Sequence, residues 1–128
     1  MPSDPLHRLA TALAAAGYEG VERDGATLYA RADGDGAAEF TATGDGPVRL
    51  AMRFPVRASD AERQAWMRAN PKGRLEIAAG ETELSLVIPA DADDATLAAL
   101  LADWRVLLHA GAVAAVGWRR GLRPLEGM

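Results

Sequence analysis

The chain has 128 residues, 49% hydrophobic and 25% charged, which is the size and composition of one globular domain and argues against a disordered chain. It contains no cysteine, so disulfides, thiolate metal sites and a cysteine nucleophile are excluded together. The formal charge is −4 and the pI about 5.1, which argues against nucleic acid as a partner.

Lys72 is the sole lysine among 14 basic residues and alanine is the commonest residue, as a GC-rich genome would produce. At the N-terminus, Asp4 and Pro5 stand where a secretory signal would be basic. The most apolar run, Val106 to Trp118, is shorter than the about 20 residues a transmembrane helix needs, and Asp103 and Arg105 interrupt it upstream. These features predict a cytoplasmic protein with no membrane partner.

Ser3 and Asp4 precede Pro5, and Leu6, Leu9, Leu13 and Ala16 recur at steps of three and four before Gly17. This predicts an amphipathic helix over 4–16. The period then switches to two. Asp24-Gly25, Gly34-Asp35-Gly36 and Gly44-Asp45-Gly46-Pro47 are turn clusters, and they bound strands at 26–32, 37–43 and 48–56. The last strand alternates most clearly: Val48, Leu50, Met52, Phe54 and Val56 on one face, with Arg49, Arg53 and Arg57 on the other. A weaker strand is possible over 18–23.

Ser59 and Glu62 have the spacing of a capping box, which starts a second helix that Pro71 must end near Asn70. Strands at 74–79 and 82–88 follow, joined over Gly80-Glu81, a pair suited to a type II′ turn. Asp91, Asp93 and Asp94 then open a long helix, with negative charge at its positive end, running from about Asp93 to Trp118.

That long helix has two apolar sides. Leu97, Leu101, Trp104, Leu108, Gly111, Ala115 and Trp118 form one stripe, which should lie on the sheet. Opposite them Ala95, Ala99, Ala102, Val106, His109 and Val113 repeat at steps of four and three. A helix apolar on both sides is buried on both or takes part in an interface, and a second copy of the chain is the simplest cover. Two valines, three alanines and a histidine cannot supply a whole interface. Trp66 and Met67, adjacent on the second helix and pointing about 100° apart, are the further candidates.

Sites for chemistry are scarce. Asp33-Gly34-Asp35-Gly36 lacks the third oxygen ligand and the glutamate of a calcium loop and reads as a hairpin turn. The aspartates at 91–94 read as helix caps. His7 and His109 have no second ligand in sequence, and Ser3, Ser59 and Ser85 are the only serines. Neither a phosphate-binding glycine loop nor a hydrolase motif is present. No metal, cofactor or catalytic activity is expected.

The order helix, three strands, helix, two strands, helix resembles the type III secretion chaperone-like fold and, within it, the YbjN-type domain. Local features agree: Ala16-Gly17-Tyr18 closes the first helix. Asn70 ends the second, and Pro71-Lys72-Gly73 leads into Leu75-Glu76-Ile77. Ala115 and Trp118 stand near the end of the last helix. The resemblance spans residues 5–118. It implies a small, acidic, non-enzymatic homodimer that holds an extended client segment on apolar patches, by strand addition or groove binding.

The expectation is therefore one α+β domain over residues 1–118, built on an antiparallel sheet of about five strands, with 119–128 as a flexible tail. Its partners would be itself and a client protein, engaged through Trp66, Met67, Val106, His109 and Val113. The alternative is a small-ligand or anion-binding regulatory domain that uses Arg49, Arg53 and Arg57.

Overall fold

A computed structural model describes residues 4–32 and 39–126, with side chains as far as Trp118. The first helix, α1 (Pro5–Ala15), starts where expected: the Asp4 carboxylate accepts from Leu6 N–H at 3.0 Å. Its buried side is Leu6, Leu9 and Leu13. Four strands follow: β1 (Glu19–Asp24), β2 (Thr27–Arg31), β3 (Glu39–Thr43) and β4 (Val48–Phe54). The second helix, α2 (Asp60–Ala69), carries the expected capping box, with both the Ser59–Glu62 bonds made. After it come β5 (Arg74–Ala78), β6 (Glu81–Ile88) and α3 (Asp94–Glu126).

The class is α+β, with one six-stranded antiparallel sheet in the order β1-β2-β3-β4-β6-β5. The weak strand at 18–23 thus exists as β1, one strand more than the resemblance implies. It is an edge strand, and its register on β2 slips between Glu19 and Glu22. The Asp33–Gly36 turn lies outside the described residues, as do Ser3 and residues 127–128. The last helix continues past the expected end at Trp118 to Glu126, so 119–126, expected as tail, is helical.

Two local readings are corrected. The last β4 pair is Phe54↔Thr82, so the strand stops short of Val56. There the chain folds back: Val56 N–H donates to Phe54 O at 2.7 Å, and Val56 O accepts from both Thr82 N–H and Thr82 Oγ1. Arg57 therefore falls off the strand face that carries Arg49 and Arg53. The hairpin turn also moves back by one residue. Ala78 pairs with Glu81, which leaves Ala79 and Gly80 in the turn, with φ of 52° and 81°. Positive φ at both central residues is the type I′ pattern, where Asn-Gly is preferred. A left-handed alanine costs about 1–2 kcal/mol. Ala79→Asn should accordingly raise the unfolding free energy by about 1 kcal/mol. An unchanged or lowered urea midpoint would contradict this turn.

The core lies between the sheet and the helices. Leu28, Phe40, Leu50, Phe54, Leu84 and Leu86 are buried on the helix-facing side of the sheet, whereas Met52 is only half-buried. The α3 stripe expected to lie on the sheet does so, from Leu97 through Trp104 and Leu108 to Trp118. Gly111 belongs to it because α3 approaches β4 closely there: a Cβ would stand 2.7 Å from Phe54 Cζ. This burial accounts for part of the helix's apolarity, since 33% of its most apolar window is buried. By length and mean hydropathy (1.5) the stretch Asp94–Trp118 would suffice to cross a membrane, which corrects the shorter apolar run read from sequence. Its stripe of leucines and tryptophans is, however, occupied by the sheet.

Candidate functional site

The surroundings of α3 divide its exposed surface. On one side, α1 flanks its N-terminal half. Arg8 pairs with Asp94 at 2.8 Å, and the Arg105 guanidinium donates to Ala16 O while lying 4.5 Å from the Tyr18 ring centroid. Tyr18 Oη donates to Leu101 O, and burial pushes this phenol up to about 12 in spite of the Arg105 cation. On the other side, α2 and the segment after it flank the C-terminal half. Lys72 pairs with Asp103 at 3.1 Å, and Trp66 Nε1–H donates to Ala110 O at 3.4 Å.

Between these flanks a stripe of α3 stays open. Val106 is 65% exposed, Val113 61% and Val116 45%, and Ala95, Ala99, Ala102 and His109 are exposed in line with them. The steps are four and three throughout, which keeps all seven residues on one side of the helix. No member of the stripe is Asp, Glu, Lys or Arg. Val116 continues the same spacing from Val113 and extends the predicted stripe by one position.

Trp66 and Met67 do not join this surface. Trp66 is 7% exposed and lies against Leu107 and Gly73. A Cβ at residue 73 would stand 2.9 Å from the indole, so the glycine is what lets the ring seat inside. Met67 is half-buried, and its sulfur accepts from Leu75 N–H at 3.4 Å on the β5 edge. The interface candidates of the second helix are therefore core and edge groups of the monomer.

A groove of about 520 Å³ runs between α1 and α3, beside the alanine half of the stripe. Its walls are mainly Ala12, Ala15, Leu97 and Ala98, with His7 and the Arg8–Asp94 pair at the rim. Four of the residues that line it are alanines, Ala12, Ala15, Ala16 and Ala98, and their small size leaves the space.

The arginine face has a different fate. Arg49 and Arg53 both bind Glu83 on the neighbouring strand, the second at 3.2 Å, and the Glu83 side chain is mostly buried by them. Burial alone would raise this carboxyl; the two guanidinium groups overcome it and hold it below its usual range. The two arginines thus share one carboxylate, and Arg57 shares no strand with them. Of the groups noted as possible ligands, Asp93 caps α3 by accepting from Thr96 N–H at 2.7 Å. Among the described residues no three His, Asp or Glu side chains gather as a metal site would require. The Ser59 hydroxyl is engaged by Glu62 N–H at 3.1 Å.

No family model, curated protein or solved structure matches the chain.

Proposed function

We propose that this protein is a non-enzymatic, chaperone-like protein-binding module that acts as a homodimer and holds an extended segment of a client protein. The observation that carries this reading is the open stripe of α3, with three valines exposed in line and no charged member. Burying one valine side chain fully is worth about 1.5–3 kcal/mol, and a soluble helix ordinarily turns its charges to such a face. The element order that resembles the YbjN-type domain supports the same reading, with β1 as an added edge strand. Arg49 and Arg53, on which the anion-binding alternative draws, share the carboxylate of Glu83, and this favours the protein-binding reading.

Light scattering on a sizing column tests the dimer. At tens of micromolar the wild type should elute with twice the 13.5 kDa chain mass. Val113→Glu should yield a monomer with an unchanged circular dichroism spectrum, because the residue is solvent-facing in the monomer and a buried unpaired charge is costly. A monomeric wild type overturns the dimer. The client-holding part predicts suppressed aggregation of a chemically unfolded test protein at stoichiometric ratios; no suppression by the intact dimer would overturn it.

A further inference from the structure

The stripe is graded along its length. Its N-terminal half consists of alanines, Ala95, Ala99 and Ala102, and its C-terminal half of larger groups, Val106, His109, Val113 and Val116. We propose that two copies of α3 pair antiparallel across this stripe, the alanine half of each helix packing against the valine half of the other. This rests on the homodimer reading above and assigns the orientation of its interface.

Size is the first reason. Helix axes settle about 8–10 Å apart according to the side chains between them. In an antiparallel pair every alanine meets a valine or the histidine and Val106 meets its own copy at the centre, so volume is distributed symmetrically about the middle and the axes need not splay toward one end. A parallel pair would stack alanine on alanine at one end and valine on valine at the other. The axes would then have to splay, or voids would remain among the alanines, and such voids are unfavourable.

Charge is the second reason. The start of the helix carries Asp91, Asp93 and Asp94. A parallel pair sets the two acidic ends side by side and aligns the two helix dipoles. An antiparallel pair separates the acidic ends by the length of the helix and opposes the dipoles.

Area is the third. The stripe is about 30 Å long, at 1.5 Å per residue, but only one helix wide. A stable interface needs about 800 Å² from each partner, so the stripe needs a flank. The α1–α3 groove lies on the same side of the stripe as Ala98 and Arg105. A twofold axis normal to the plane of two antiparallel helices matches like sides. The side of α3 that faces α1 near Ala98 therefore meets the corresponding side of the second copy near its Val116. That valine would arrive at the groove mouth, between Thr11, Ala15 and Ala98, and the groove would add its apolar wall to the contact.

The absence of cysteine makes the test direct. Single variants Ala99→Cys, His109→Cys, Val113→Cys and Val116→Cys are purified, mixed in pairs, re-equilibrated under reduction and mildly oxidised. A disulfide forms only where Cα atoms come within about 4.4–6.8 Å. The expected main product is a mixed disulfide between Ala99→Cys and one or more of the other three, and Ala99→Cys alone should stay uncross-linked. Self-linkage of both Ala99→Cys and Val113→Cys without mixed product would mean parallel helices, and it would overturn the orientation while leaving the dimer. A dimer by light scattering that gives none of these cross-links would remove α3 from the interface. A monomeric wild type would overturn the dimer reading itself.

Discussion

Trp104→Ala should cost about 3–5 kcal/mol of stability, the largest single loss expected from this chain. Trp104 is fully buried at the middle of α3, and its ring stands edge-on to Phe40 of β3 with centroids 5.5 Å apart. Phe40 in turn stands edge-on to Tyr18 at 5.6 Å, and Tyr18 is tied to α3 through Leu101 O and Arg105. The indole is thus the first member of an aromatic line that joins α3 and the sheet to the end of α1. Removing it leaves a void that three rigid elements cannot close. The Nε1–H of Trp104 is buried and has no acceptor among the described residues. Trp104→Phe removes that orphan donor and keeps most of the ring, so it should cost well under half of the alanine variant. Chemical denaturation of both variants checks the pair. Equal losses would mean that the indole N–H has found an acceptor or that the ring is not at the centre of the core.

Where one side chain's period decided an element, it was legible. The alternation Val48, Leu50, Phe54 identified β4 and its buried side, and the four-three spacing of Leu97, Leu101, Trp104 and Leu108 identified the sheet side of α3. What escaped depends on contacts distant in sequence. Glu-Gly-Val-Glu-Arg-Asp has no apolar alternation, and β1 is a strand because β2 offers it an edge. The 79–80 turn escaped because alanine gives no signal of positive φ; only the Ala78↔Glu81 register reveals it. Trp66 and Met67 looked equivalent as interface candidates. A gap left by Gly73, seven residues on from Trp66, decided which one goes inside. The open stripe on α3 was legible as a pattern, but its exposure followed only from where α1 and α2 sit. The same holds for the arginines: their side of β4 could be read, but their shared partner Glu83 needed the β4–β6 register.

Leu50→Ala should cost about 2–5 kcal/mol, and Met52→Ala on the same strand face clearly less. The alternation of β4 makes these two residues equivalent, whereas their surroundings do not. Leu50 is 0% exposed, set between Ala42 of β3 and Leu86 of β6 in the middle of the sheet. Met52 pairs with Leu84 on β6 but lies beyond the last β3 pair, Thr41↔Ala51, and is only half-buried. A leucine truncated at the centre leaves a cavity walled by strands on both sides, and the cost grows with the volume that cannot collapse. At Met52 water already reaches part of the side chain, and neighbouring groups can move into the space. Urea melts of the two variants at the same concentration make the comparison. If Met52→Ala cost as much as Leu50→Ala, then β3 would extend over Met52 or a second copy would cover it. If Leu50→Ala cost less than about 1 kcal/mol, the β4 register assigned here would be wrong.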